Sequence, residues 1–205
     1  VIVADSVVRR FPKRSFVFRQ GEPAAAMYRL RRGLVKIFTV DENGRERVLR
    51  ILFPEAVFGF SMLADGRHYA SAETLDDSLI EIFDRERLLG ALERHPETAK
   101  RLLGEVADRL RRADEQTVAG HASFERKLAQ ALLFFLDKCG GASATFRLPV
   151  SYRELAAMTD AAPETLSRKL ALLQAKGLVS IGRNRSVTLP DPEALRRFAE
   201  TEVTK

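Results

Sequence analysis

Cysteine is nearly missing from this 205-residue chain, where Cys139 stands alone. One thiol excludes a disulfide framework, a four-thiolate iron–sulfur cluster and a cysteine-based zinc site within a single chain, and it fits a reducing compartment such as the cytoplasm. Long apolar runs are missing too, so no membrane span is expected. The start lacks an initiator Met, as a trimmed chain would, and with Asp5, Arg9 and Arg10 it does not have the pattern of a secretory signal. Paired carboxylates, metal-spaced histidines and a nucleophile beside a base are absent from the β-prone half, which argues against an enzyme.

Basic charge is in excess. Lys and Arg number 34 against 28 Asp and Glu, a net charge of +6 and a pI near 9.8, a balance that suits a polyanionic partner. With 45% hydrophobic residues the chain can bury a sizeable core, and its length suits two small domains.

From about Phe16 to Phe83, short apolar stretches alternate with turn formers: Gln20-Gly21-Glu22-Pro23, Arg32-Gly33, Asp41-Glu42-Asn43-Gly44, Phe53-Pro54-Glu55 and Ala64-Asp65-Gly66. This spacing predicts β-hairpins closing into a compact antiparallel roll or barrel. Asn43-Gly44 is the strongest turn signal, since both residues tolerate positive φ and both flanks, Val35 to Phe38 and Val48 to Ile51, are β-prone.

After Phe83 the period becomes helical. Ala99, Leu103, Val106, Leu110, Ala113 and Thr117 recur in alternating steps of four and three on an otherwise charged helix. Such a heptad stripe suits a coiled coil with a second copy; the alternative is an amphipathic helix lying on its own β domain. Thr117 to Ser123, with Gly120 inside, reads as a hinge, and a further helix carrying Phe124, Leu128, Leu132 and Phe135 is expected to stop at Gly140-Gly141.

Leu148 to Val187 reads as strand, helix, turn, helix and hairpin. Ser151 and Glu154 form a capping box at the start of a helix running to about Met158. Ala156, Asp160 and Leu166 stand where a helix-turn-helix needs a small crossing residue, a left-handed turn and an apolar anchor, and Pro163 suits the first position of the second helix, expected to run to about Lys176. Glu164, Ser167 and Arg168 then lie near the end of that helix that enters a major groove. Arg can bond guanine O6 and N7 and Glu can accept from cytosine N4, although an i,i+4 surface ion pair between Glu164 and Arg168 has the same spacing. A hairpin around Gly182-Arg183-Asn184-Arg185 would make a basic wing able to hold phosphates.

Taken in order, these stretches resemble the Crp/Fnr superfamily of bacterial transcription regulators. The likeness is carried by Tyr28-Arg29-Leu30, Gly33-Leu34-Val35-Lys36, Asn43-Gly44-Arg45-Glu46, Phe53 to Gly59, the heptad helix and above all Pro163-Glu164-Thr165-Leu166-Ser167-Arg168. That last string resembles the branch of dissimilatory nitrate respiration and nitric-oxide-responsive regulators. The resemblance implies an α+β chain: a β-roll of the cyclic-nucleotide-binding jelly-roll type over 1–96, a dimerisation helix over 97–119 and a winged helix-turn-helix over 120–205. It further implies a cytoplasmic, effector-controlled homodimer, an activator type of regulator with RNA polymerase as a further partner, on double-stranded DNA carrying a TTGA-type inverted repeat. Glu164, Ser167 and Arg168 would read bases, with Pro163 replacing an Arg that some members use for another base contact. Ser151, Arg153, Thr165, Lys169, Arg183 and Arg185 would meet the DNA backbone, and Leu103, Val106, Leu110, Ala113 and Thr117 would form the dimer interface.

For the sensor, the resemblance points to Phe58, Gly59, Phe60, Met62, Arg67, His68 and Tyr69. Cyclic-AMP-binding members carry Gly-Glu and Arg-Ser where this chain has Gly59-Phe60 and His68-Tyr69, so cyclic AMP is disfavoured, as is a 4Fe-4S cluster with one cysteine. Haem is the leading remaining cofactor by resemblance to the nitric-oxide branch, with His68 or Met62 as its ligand ahead of His95 and His121.

Overall fold

In a computed structural model the chain divides into two compact units, Val1–Gly120 and His121–Lys205. The structure describes residues 5–64, 66–118, 123–140 and 144–200, without the side chains of Arg109, Arg112 and 115–118. Asp65, Gly120, His121, Gly141 and the side chain of Thr117 therefore lie outside the described residues.

The first unit opens with eight strands: β1 (Val7–Phe11), β2 (Phe16–Phe18), β3 (Ala26–Arg32), β4 (Val35–Val40), β5 (Glu46–Leu52), β6 (Val57–Phe58), β7 (Ser71–Thr74) and β8 (Ser78–Asp84). They form two antiparallel four-stranded sheets, in the orders β1-β8-β3-β6 and β2-β7-β4-β5. Apolar residues of these strands meet in one core, where Phe18, Tyr28, Leu30, Val35, Ile37, Phe58, Ala72 and Ile80 pack together. The tight turns follow residue chemistry. Gly33 takes φ +98°, and a Cβ there would lie 2.3 Å from Ser78 Oγ and 2.7 Å from the Asp77 carbonyl oxygen. The turn between β4 and β5 is longer than an Asn-Gly hairpin. Val40 pairs with Glu46 and leaves residues 41–45 as the loop. Asn43 is not in the positive-φ region; Gly44 alone takes it, at φ 75°. Asp41 Oδ1 accepts from the Asn43 and Arg45 amides at 3.0 and 2.8 Å, so Asp41 shapes the turn that Asn43 was expected to shape.

On the outer side of β3 and β8, Arg29 is buried and its Nη2 lies 2.6 Å from Glu81 Oε2, while the Ser6 hydroxyl donates to Glu81 Oε1 at 2.7 Å. At the end of β8 the side chain of Asp84 accepts from the Glu86 and Arg87 amides and caps α1 (Arg85–Arg94). Helix α2 (Pro96–Val118) follows and continues into the segment expected to be hinge from Thr117. A second cluster of Ala24, Met27, Met62, Phe83, Leu88 and Leu102 joins these helices to the sheet.

The second unit holds α3 (Phe124–Cys139), β9 (Thr145–Arg147), α4 (Tyr152–Met158), α5 (Pro163–Ala175), β10 (Ser180–Ile181), β11 (Ser186–Thr188) and α6 (Pro192–Glu200), with sheet order β10-β11-β9. Leu128, Leu132, Phe135, Phe146, Leu155, Leu166, Leu173, Val187 and Leu195 are buried. Helix α3 does stop at Gly140, in an extended rather than a left-handed conformation. A Cβ there would sit 2.4 Å from the Leu136 carbonyl oxygen. The strand expected to open at Leu148 lies earlier, at β9, and α6 has no counterpart in the sequence reading. Arg126 of α3 ties α6 down, donating from Nε to the Ala199 carbonyl at 2.8 Å and from Nη2 to the Glu200 carbonyl at 3.2 Å.

Candidate nucleic-acid interface and sensor recess

The helix-turn-helix is assembled from local chemistry. Ser151 Oγ accepts from the Glu154 amide at 3.2 Å while Glu154 Oε2 accepts from the Ser151 amide at 2.6 Å, a complete capping box at the start of α4. Asp160 takes φ 59° in the turn, and Pro163 occupies the first turn of α5. Ala156 and Leu166 are fully buried between the two helices. With Leu166, Leu170 and Leu173 turned inward, Glu164, Ser167 and Arg168 fall on the exposed side of the first turns of α5. The i,i+4 ion pair between Glu164 and Arg168 is not formed: Arg168 Nη2 reaches only Thr165 Oγ1, at 3.5 Å, and Ser167 Oγ donates to the Pro163 carbonyl at 3.2 Å. The groups expected to read bases are thus open to solvent beside the positive end of a helix.

Around them the wing turns at Asn184 and Arg185, both with positive φ. Arg153 and Arg183 are exposed, and Arg185 is half-buried with Nη1 donating to the Val150 carbonyl at 3.0 Å. Lys169, also expected at the DNA backbone, has its ammonium paired with Glu125 of α3.

In the first unit a recess of about 300 Å³, counted out to its open mouth, is lined by Phe18, Ile37, Arg50, Phe58, Gly59, Phe60, Ser61, His68, Tyr69 and Ala70. It brings together Phe58, Gly59, Phe60, His68 and Tyr69 of the expected sensor set. Met62 does not line it, since the short 3-10 turn Phe60–Leu63 aims its side chain into the cluster with Met27 and Phe83. Arg67 does not line it either; its Nη1 donates to the Gly21 carbonyl at 2.7 Å. Sequence reading missed Phe18, Ile37 and Arg50, which reach the recess from β2, β4 and β5, and Ser61 and Ala70, which neighbour Phe60 and Tyr69 in the chain. The one local hint was Arg50, a charge inside the apolar run of β5.

Aromatic packing dominates the recess wall. The His68 ring stacks on Phe18 with centroids 3.7 Å apart at 8°, and Phe18, Tyr28 and Phe58 continue the cluster at 5.2 to 6.1 Å. Burial lowers the His68 pKa, opposed by the negative field of Glu22, so the ring is held neutral. Gly59 sits at φ 84°, and a Cβ there would meet the Tyr28 ring at 2.6 Å. At the mouth Arg50 Nη2 donates to the Tyr69 hydroxyl at 3.0 Å. This arrangement does not fit haem: one face of the candidate ligand His68 is covered by Phe18, the residue is only 3% exposed, and Met62 is elsewhere. Among the described residues no group of three His, Cys, Asp or Glu converges as a metal site.

On α2 the described side chains of the predicted stripe stay uncovered beyond half-buried Ala99: Leu103, Val106 and Leu110 remain 69%, 39% and 64% exposed and Ala113 is exposed as well, while Thr98 and Leu102, beside the stripe, are buried against their own unit.

Comparison with known proteins gives matches to both units. Residues 8–95 match the cyclic nucleotide-binding domain family, and residues 126–198 match the Crp-like helix-turn-helix domain family. The chain is 34% identical over 176 residues to the cyclic AMP receptor protein of Thermus thermophilus, covering 85% of this chain and 80% of that protein. It is 26% identical over 181 residues to the nitrogen fixation regulation protein FixK of Rhizobium meliloti, covering 88% and 81%. The solved structure of FixK2 from Bradyrhizobium japonicum shares the fold with a TM-score of 0.86 at 23% identity, over 97% of this chain and 100% of that one.

Proposed function

Because the chain belongs to the Crp/Fnr family of DNA-binding transcription regulators, we propose that it works as a homodimer that reads a TTGA-type inverted repeat and is controlled through the recess of its β-roll. The observation that carries the DNA-reading part is the exposure of Glu164, Ser167 and Arg168 on the first turns of α5, unpaired with one another, over a buried Leu166-Leu170-Leu173 face. Arg168 takes a guanine, Glu164 a cytosine amino group on the opposite strand, and Ser167 an adjacent group; Ser151, Arg153, Thr165, Arg183 and Arg185 hold the backbone. The Pro163 to Arg168 string supports a recognition helix nearest to the nitrate respiration and nitric-oxide-responsive branch. RNA polymerase is the further partner and the cytoplasm the compartment.

A second copy covers Leu103, Val106, Leu110, Ala113 and Thr117, placing two α5 helices on successive major grooves about 34–36 Å apart. Occupation of the recess shifts the population between dimer geometries through the packing of α2. The effector is more apolar than a cyclic nucleotide. The recess wall is Phe18, Phe58, Phe60 and His68, and the positions that bind ribose and phosphate in cyclic-nucleotide-binding members are Phe60, His68 and Tyr69 here.

Quantitative binding to a duplex with inverted TTGA repeats, against the same duplex scrambled, tests the reading. Arg168→Ala should cost about 1–3 kcal/mol and relax preference at one base pair, whereas Arg183→Ala should weaken every sequence alike. A monomer with no preference between the duplexes, in every ligand state, overturns it.

A further inference from the structure

Two adjacent cations of α5, Arg168 and Lys169, meet different fates. Arg168 is exposed to solvent beside the reading residues. Lys169, one residue on, turns about a third of the way round the helix toward α3, where its ammonium is paired with the Glu125 carboxylate. The two side chains retain 36% and 20% of their exposure, so this contact is partly shielded from water and salt. The Lys169 hydrogen bond is the main influence holding the Glu125 carboxyl below the usual glutamate range, against the opposing effect of burial, with the charge of Lys176 adding to it. The Lys176 ammonium itself rests 5.0 Å from the centroid of the Phe198 ring rather than on the carboxylate. Turning Lys169 outward to a phosphate would therefore leave a half-buried carboxylate without its partner, close to a polyanion.

We propose that Glu125 is a positioning residue that acts through Lys169: by clasping the ammonium between α3 and α5, it withholds a cation from the DNA backbone next to the base-reading residues and so tempers affinity for every duplex. Phosphate contacts carry no sequence information, so one cation fewer at the interface lowers affinity for the repeat and for any other duplex alike. The clasp also keeps α5 seated on α3, which makes Glu125 a positioning residue rather than a DNA contact. This inference rests on the reading of α5 as the DNA-reading helix.

The test is the slope of log K against log salt for the full chain on the inverted-repeat duplex and on its scrambled counterpart. Each phosphate neutralised on B-form DNA contributes a slope of about −0.9. Lys169→Ala should leave the wild-type slope unchanged. Glu125→Gln should steepen it by about 0.9 per protomer, or about 1.8 for a pair, and raise affinity for both duplexes alike. Lys169→Ala added to Glu125→Gln should cancel that gain, an effect that a purely structural role for Glu125 would not give. A slope flattened by Lys169→Ala in the wild-type background shows that the ammonium already meets phosphate and overturns the proposal, and this arm decides alone should Glu125→Gln fail to fold. Wild-type protein with no salt-dependent duplex binding at all would instead overturn the DNA-reading assignment, and this proposal with it.

Discussion

At the scale of single residues, the positions that local chemistry dictates were legible and those set by distant packing were not. Asp160 could be read as a left-handed turn residue, Pro163 as a helix start and Ser151 with Glu154 as a cap because each requirement is met within a few residues of chain. Met62 could not be placed, since whether a methionine near a glycine turn faces the recess or the Met27-Phe83 cluster depends on strands far away in sequence. Gly33 offers a sharp test. Gly33→Ala must place a Cβ against Ser78 and the Asp77 carbonyl at a φ that alanine rarely adopts, and it should lower stability by about 1–3 kcal/mol in a denaturant titration. His68 gives a pH dependence. Because burial lowers its folded pKa, the unfolded chain takes up the proton first as pH falls below the usual histidine value near 6.5, and stability drains away from there down to the lower folded value. Thermal midpoints recorded across that range should fall for the wild type, and His68→Phe, which keeps an aromatic ring against Phe18, should flatten the curve.

At the scale of elements, the heptad pattern identified α2 but could not say which residues its own unit would bury. The structure assigns Leu102 to the sheet and leaves Leu103, Val106 and Leu110 exposed, which is the division expected of a helix serving two surfaces. Leu110→Asp should therefore leave the fold of the chain unchanged by circular dichroism and shift it to monomer in sedimentation, with loss of binding to the inverted repeat. Helix α6 was missed for a different reason. Its stability comes largely from α3, whose Arg126 satisfies carbonyls at its last turn, and nothing within the nine residues of α6 announces a partner so far upstream. Arg126→Ala removes bonds from a charged donor and should cost about 1–3 kcal/mol, with earlier hydrogen exchange in α6 than in α5.

At the scale of the whole molecule, composition pointed to a polyanionic partner and the structure distributes the charge. With Arg153, Arg183 and Arg185 from each of two protomers on phosphates, six cations give a salt slope near −5, and affinity for the repeat should fall about 10³-fold between 50 and 200 mM salt. Acid acts on the other unit. The Glu81 carboxyl is pushed up by burial but held below the usual glutamate range by the Ser6 hydroxyl and the Arg29 and Arg31 guanidiniums. Its contribution is complete above the ordinary glutamate pKa and lost as pH falls through the lower folded value, so this unit should weaken below about pH 4 even when His68 is replaced.

The uncovered leucines of α2 carry a consequence for gene dosage. If two copies pair through them as proposed, the number of paired stalks grows, while the chain is scarce, with the square of its concentration, so halving its synthesis would cut occupancy of a weak operator about fourfold. Transcription from such promoters would then respond to expression of the regulator itself more steeply than in simple proportion, before any effector is involved.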